Sequence, residues 1–152
     1  MEIHQPNTGA IIELENRFDV DRGLILEGGM TVRETGARWS SGGFFIETHP
    51  RHVVGTAIFA ETRGGVQIGN LFPKGYGGVP DFWSIDLKRA DLRADRRIAF
   101  RLLLRGGMLE LCLDDRLIQC YSLLKKPTGR IGLVVESGRV VFEDVRAWTM
   151  SL

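Results

Sequence analysis

Apolar residues recur at every second position along much of this chain, and this alternation constrains the fold more than any other feature. Leu109, Leu111 and Leu113, for example, alternate with Glu110 and Cys112. Successive side chains of a β-strand point to opposite faces of its sheet, so the pattern predicts strands with one buried and one solvated face. Strands are expected from Ile12 to Phe18, Leu24 to Arg33, Gly43 to Glu47, Val53 to Glu61, Val66 to Leu71, Phe82 to Leu87, Ile98 to Leu104, Leu109 to Leu113, Arg116 to Ser122, Ile131 to Glu136 and Val140 to Thr149.

Short separators rich in glycine or aspartate lie between these segments. The 152 residues include 19 glycines, well above the ~7% of average usage. Gly106-Gly107, Asp114-Asp115 and Ser137-Gly138 have the length and chemistry of hairpin turns. Hairpins make chain neighbours antiparallel, and a single open sheet of about eleven strands would curl or split. The expected fold is therefore all-β, a two-sheet antiparallel β-sandwich.

The division of the chain follows from the same patterns. Residues 10–152 are expected to form one β-sandwich domain, and residues 1–9 an N-terminal arm. The charged segment from Asp86 to Arg97 has almost no apolar stripe, so it predicts at most a turn or two of surface helix that connects strands.

The last quarter of the chain carries a more specific pattern, F-x-D-V-x-A-W. Phe142 and Val145 are an odd number of positions apart, so both can reach the core, together with Ala147, only if the strand holds one extra residue. A β-bulge is therefore expected near Glu143 and Asp144.

Together with LELCLDDRLIQCYSL before it and GGVQIGNL farther upstream, this closing pattern resembles concanavalin A-like jelly-roll domains, the superfamily of legume-type lectins, laminin G-like modules and many glucanases. It is most similar to the C-terminal β-sandwich of glycoside hydrolase family 32, loosely over Ile11 to Trp148 and best over Arg101 to Trp148. In that family the sandwich follows a catalytic propeller and carries little or none of the active-site chemistry. The resemblance implies a non-catalytic, lectin-like carbohydrate-binding or accessory module, whose partners are an oligo- or polysaccharide and a catalytic domain.

The balance of charge argues against other classes of partner. The 20 Lys and Arg against 19 Asp and Glu leave a formal net charge of +1, so no overall field attracts nucleic acid or anionic lipid. No segment approaches the ~20 apolar residues of a membrane helix, and the first residues lack the pattern of a signal peptide. We expect a soluble, cytoplasmic chain without nucleic-acid or membrane partners, with a longer secreted parent as the alternative.

The two cysteines, Cys112 and Cys120, flank the Asp114-Asp115 turn. With a two-residue turn they face opposite sides of the sheet, and with a three-residue turn they share a side on a diagonal of about 7–8 Å. Neither arrangement suits a disulfide. Both are expected to be reduced thiols.

Sugar binding needs flat aromatic surfaces for the apolar ring faces and planar polar groups for the hydroxyls. Trp39 and Tyr76 fit either binding or packing at an edge, whereas core packing with Ile85 is favoured for Trp83 and a structural role for Trp148. The candidate ligand-binding residues are Arg38, Trp39, His49, His52, Asn70, Tyr76, Asp81 and Trp83.

Catalysis has weaker support in the sequence. Glycoside hydrolysis usually uses two carboxyl groups about 5–5.5 Å apart in retaining enzymes and about 6.5–9.5 Å apart in inverting enzymes. The E-x-D-x-x-E string of laminarinase-type relatives is absent. Glu47 and Glu61, each near a strand end, are the remaining pair for a small glycosidase, and we favour their interpretation as solvated acids.

Metal and cofactor sites are not expected. His49 and His52 are three positions apart with Pro50 between them, so no helix aligns their rings, and His4 lies in the N-terminal arm. The alternative to a sugar-binding module is a protein-interaction or self-association module. For it, Leu103, Cys112, Leu117 and Val134 would form an apolar strip on an outer face.

Overall fold

The structure is a computed structural model that describes residues 1–5, 10–33, 40–50, 54–62, 64–73 and 81–151, with residues 2–5 and 10 as backbone only. These ranges contain eleven strands and no α-helix. The strands are β1 (Glu2–Gln5), β2 (Ala10–Glu13), β3 (Leu24–Arg33), β4 (Ser41–Glu47), β5 (Gly55–Glu61), β6 (Gly65–Phe72), β7 (Asp81–Arg89), β8 (Arg97–Arg105), β9 (Met108–Leu113), β10 (Arg116–Ser122) and β11 (Ile131–Thr149).

The strands form two antiparallel layers that share β11. Sheet A has the order β10-β9-β8-β3-β11, with β1 on the other edge of β11. Sheet B contains β2, β11, β4, β5, β6 and β7 in that order. The main core lies between the layers, and the ring of Phe44 in sheet B packs on Phe100 in sheet A with centroids 4.8 Å apart. The prediction of a two-sheet antiparallel β-sandwich is confirmed.

Strand β11 crosses from one layer to the other. Its first part, Ile131 to Ser137, pairs with β4 in sheet B, and its second part, Arg139 to Thr149, pairs with β3 in sheet A. The predicted hairpin at Ser137-Gly138 is therefore wrong. The glycine is needed for a bend within one strand: Gly138 has φ +78°, and a Cβ on it would collide with Ser40.

The predicted bulge in the closing pattern is confirmed. The register between β11 and β3 shifts between Glu143 and Arg146, and Asp144 has φ +52°. Phe142 is buried and Val145 packs against the core, as expected. Ala147 was expected in the core but is exposed, because β11 is the edge strand of sheet A at that point: β1 pairs only with Gly138 to Val141.

A second apolar cluster occupies the outer face of sheet B. Phe45 is 1% exposed and Phe59 is 0% exposed. The rings of Phe59 and Phe82 pack edge to face, with their centroids 4.8 Å apart. Ala57, Leu71 and Val134 belong to the same cluster. Strand β4 is consequently buried on both faces, which explains its run of apolar and small residues instead of strict alternation.

Two segments differ from their predicted form. Glu2–Gln5, expected in an arm, form β1, and the amide of Phe142 donates to the Met1 carbonyl at 2.7 Å. The segment after Asp86 extends β7 to Arg89 and does not begin a helix. An edge strand with solvent on its free side accommodates such alternating charges, and the charges oppose pairing with another chain.

Both cysteines are free. The Asp114-Asp115 turn has two residues with positive φ, but a bulge between Leu117 and Gln119 shifts the register of β10. Cys112 faces Leu117 and Cys120 faces Glu110, so the two thiols share the outer face of sheet A on a diagonal.

Candidate functional site

Four of the eight predicted ligand-binding residues lie outside the described residues: Arg38, Trp39, His52 and Tyr76. The other four are His49, Asn70, Asp81 and Trp83. Their positions can be compared directly, and all four are near one end of sheet B.

Trp83 is an exposed aromatic side chain whose ring is held in place. It is 61% exposed on β7, and its indole Nε1 donates to Asp81 Oδ2 at 2.8 Å. Its ring packs on Phe72 of the neighbouring strand, with centroids 5.5 Å apart and planes at 59°. Core packing of Trp83 with Ile85 was the favoured prediction and is wrong, since Ile85 is 48% exposed as well.

A groove of about 220 Å³ opens beside Trp83, between the end of sheet B and the last strand of sheet A. Asn70, which pairs with Trp83 across the strands, lines this groove, and so does Phe72, on which the indole rests. The remaining lining residues are Thr48, Val54, Thr56, Tyr121, Leu124 and Lys125. We call this site the Trp83 groove.

His49 lies at the border of the Trp83 groove. The backbone amides of Thr48 and His49 both donate to the carbonyl of Val54 at 3.2 Å, which closes the turn after β4. The imidazole is exposed, with Nδ1 3.1 Å from the Pro50 carbonyl. The fold thus brings His49, Asn70, Asp81 and Trp83 to one region although they are spread over three segments of sequence.

The groove combines the groups that sugar recognition uses. Phe72 and Tyr121 supply aromatic surface, while Asn70 and Lys125 supply an amide and an ammonium group that can bond hydroxyls. Tyr121, Leu124 and Lys125 were not among the predicted site residues. The sequence signal for them was weak, because the end of β10 and the segment after it reach sheet B only through the closure of the sandwich, which local sequence patterns do not encode.

Glu47 and Glu61 do not form a catalytic pair. Glu47 is opposite Gly55 on β5, whereas Glu61 is opposite Ser41, so the two acids are six residue steps apart on one face. At ~3.3 Å per residue this is about 20 Å, more than twice the ~9.5 Å of inverting glycosidases. The hypothesis of a glycosidase using this pair is wrong for geometric reasons.

Each of these acids has a structural partner. Glu47 is 1% exposed and accepts a hydrogen bond from Thr128 Oγ1 at 2.6 Å, and Gln67 donates to Glu61. Glu47 was interpreted as a solvated acid, and its burial corrects that interpretation. Among the described residues there is no group of three His, Cys, Asp or Glu side chains that could hold a metal ion.

The apolar strip proposed for self-association is not continuous. Val134 is buried in sheet B, whereas Leu103, Cys112 and Leu117 lie on sheet A. A helix long and apolar enough to cross a membrane does not occur in the described part of the chain.

Comparison with known proteins places the fold but gives no close relative. No family model matches the sequence, and no curated protein matches it. Among solved structures, a family 66 carbohydrate-binding module from Bacillus subtilis is 16% identical over 95% of this chain and 84% of its own, with a TM-score of 0.75. A galectin from Caenorhabditis elegans is 15% identical over 97% of this chain and 95% of its own, with a TM-score of 0.64.

A third structure relates the fold to a larger enzyme. A fructosyltransferase from A. japonicus is 10% identical over 100% of this chain but only 26% of its own, with a TM-score of 0.65. The likeness is therefore to one module of that protein. At these identities the comparisons establish architecture alone, and they agree with the resemblance seen in the closing strand pattern. The chain has the concanavalin A-like β-sandwich fold that its sequence indicated.

Proposed function

We propose that this protein is a non-catalytic, lectin-like carbohydrate-binding module that holds a sugar ring at the Trp83 groove. The observation that carries the proposal is the exposure of a tryptophan whose ring is already fixed by Asp81 and Phe72. An aromatic plane held in one orientation loses little conformational entropy when a ligand stacks on it.

The polar groups around Trp83 suit a neutral ligand with many hydroxyl groups. Asn70 offers both donors and an acceptor, and Thr48 and Thr56 add hydroxyls on the same groove. A groove of about 220 Å³ is smaller than the ~300–1,000 Å³ of sites for drug-sized ligands, so it fits one sugar ring. A longer chain would continue out of the groove across the exposed face of Trp83.

The solved structures that share this fold suggest which sugars to try first. One is named a carbohydrate-binding module, and another is a fructosyltransferase in which the matching part is about a quarter of the chain. We infer that fructans are the leading class, ahead of galactans and glucans, and that the module acts as an accessory to a catalytic domain. We propose binding and not catalysis, because Glu47 and Glu61, the two candidate catalytic acids, are too far apart to act on one glycosidic bond.

The test is calorimetric titration of the protein with a fructan, a galactan and a glucan oligosaccharide, using wild type, Trp83→Ala and Leu87→Ala. Leu87 is the matched control because it is 56% exposed on the same strand but lies away from the groove, over Gly65. We expect saturable binding of one class, weakened about tenfold or more by Trp83→Ala and unchanged by Leu87→Ala. Equal affinity of the two variants, or no binding of any class by the wild type, would contradict the proposal.

A further inference from the structure

The outer face of sheet A carries a second groove, whose lining includes none of the four described ligand-binding candidates, His49, Asn70, Asp81 and Trp83. Its volume is about 250 Å³, and five segments contribute to it: β3, β8, β9, β11 and the turn between β9 and β10. Its charged lining residues are Glu27, Arg97, Arg101, Asp115, Asp144 and Arg146. We call it the sheet A groove.

Strand register explains why these charges meet. Arg146 pairs with Glu27, and Glu27 pairs with Arg101 on the next strand, so the three side chains form one row across the outer face. Arg101 Nε donates to Glu27 Oε1 at 2.6 Å, and this hydrogen bond with its charge raises the pKa of Arg101 further above its ordinary value. The Arg101–Glu27 pair thus lies at the centre of the row, and Arg146 lies beside it.

The bulge in β11 completes the groove. Asp144 adopts φ +52°, a left-handed conformation that aspartate tolerates better than most residues other than glycine. Its carboxylate lies 3.7 Å from the guanidinium of Arg97, and Glu143 lies 3.5 Å from the same group. Bulges commonly redirect a side chain beside a functional site, and here the bulge places an acid at the rim of the groove.

The charges balance and some polar groups remain available. Three guanidinium groups face three carboxylates in the lining, so the groove has no net charge that would select an anion or a cation. Among the described residues, Arg146 and Asp115 make no ion pair or hydrogen bond with another side chain. One is a pure donor and the other a pure acceptor, so different hydroxyl groups of one ligand can bond them.

An apolar strip borders the charged row on the same face. Trp148 is two residues beyond Arg146 on β11, so it points to the same side, and it is 41% exposed. Trp148 pairs with Ile25, which pairs with Leu103. An exposed indole next to planar polar groups is the same combination that defines the Trp83 groove.

We propose that the sheet A groove is a second carbohydrate subsite, which binds one neutral sugar ring through Arg146 and Asp115 with an apolar flank against Trp148. The proposal goes beyond the function assigned to the Trp83 groove, because it concerns a different face of the sandwich and different residues. A neutral sugar is specified because the three guanidinium groups and three carboxylates of the lining balance, so a charged sugar gains no net attraction there.

The experiment isolates this site by working in the full chain with Trp83→Ala, which removes the first groove. Amide and indole NMR spectra of that variant are titrated with fructose, galactose and glucose, and with glucuronate as the anionic probe. We expect one neutral sugar to shift the Trp148 indole signal and the amides near Arg146, with glucuronate binding no more tightly than that sugar. Arg146→Ala should weaken the effect about tenfold or more, as expected when a charge-assisted hydrogen bond is lost.

Arg105→Ala is the matched control, since Arg105 is exposed on the same outer face of β8 beyond the groove. This variant should bind as well as its parent. The proposal is overturned if none of the three neutral sugars shifts the Trp148 signal, if glucuronate binds more tightly than all of them, or if Arg105→Ala weakens binding as much as Arg146→Ala. If sugar bound at the sheet A groove but not at the Trp83 groove, the proposed function would be contradicted and this second site would stand.

Discussion

Trp83 and Trp148 are the exposed tryptophans of the described chain, and each lies beside polar groups that suit sugar hydroxyls. They differ in how the ring is held. The Trp83 indole donates to Asp81 and rests on Phe72, whereas Trp148 follows the bulged part of β11. A ring that is fixed before the ligand arrives binds at lower entropic cost, which is why we assign the main site to Trp83.

Glu47 illustrates how burial changes the role of an acid. Its carboxylate is 1% exposed and accepts from Thr128 Oγ1, while the Thr128 amide donates to the Glu47 carbonyl at 2.9 Å. We predict that Glu47→Ala lowers the free energy of unfolding by about 2 kcal/mol or more, because Thr128 loses its hydrogen-bond acceptor and the removed side chain leaves a cavity. Urea denaturation measures this. A change within ~0.5 kcal/mol would show that Glu47 is not a structural anchor.

Gly138 marks the bend at which β11 changes sheets. We predict that Gly138→Ala destabilises the fold by about 2 kcal/mol or more, through its φ of +78° and the collision with Ser40. Gly106→Ala is the control, because Gly106 has φ +56° but nothing within 4 Å of the position of a Cβ. Gly106→Ala should lower the stability by about 1 kcal/mol, which is the cost of placing alanine in the left-handed conformation alone. If thermal unfolding showed that Gly138→Ala and Gly106→Ala lose the same stability, the collision with Ser40 would not contribute.

At the level of elements, the outer face of sheet B behaves as a second core. Phe59 is fully buried there and meets Phe82 edge to face. We predict that Phe59→Ala costs about 3–5 kcal/mol, whereas Ile85→Ala, at an exposed position of β7, costs less than ~0.5 kcal/mol. Chemical denaturation of both variants tests this. If Phe59→Ala were nearly neutral, the face would be an open surface and a further candidate for ligand binding.

The strands themselves were largely predictable from sequence. β3 and β10 begin and end at the predicted residues, because alternation and flanking turn residues agree there. The bulge near Asp144 was also predictable, since only an extra residue could bury both Phe142 and Val145. Gly138 was misread because a glycine within a crossing strand and a glycine in a hairpin satisfy the same local rule.

The site was predictable only in part. Asn70, Asp81 and Trp83 could be selected because their residue types and positions near loops suit sugar recognition. The contribution of Tyr121 and Lys125 depends on how sheet A closes against sheet B, and the sheet A groove depends on register across β11, β3 and β8. Such long-range pairing is set by the whole fold and leaves no local signature.

The whole molecule is a scaffold of two sheets, with a main core between them and a second apolar cluster on the outer face of sheet B. Sheet B ends in the Trp83 groove, and the outer face of sheet A carries the charged row and Trp148. Both grooves lie on strands held by cross-strand pairing, so a bound sugar would require little rearrangement of the backbone. We therefore expect sugar binding to raise the melting temperature by mass action without a change in circular dichroism.

The most direct test of sugar binding at the Trp83 groove is a two-dimensional NMR titration of the wild-type chain with the oligosaccharide that calorimetry selects. We predict that the indole signal of Trp83 and the amide signals of Asn70 and Phe72 shift together and saturate with one dissociation constant. An unshifted Trp83 indole signal at saturating sugar would contradict it.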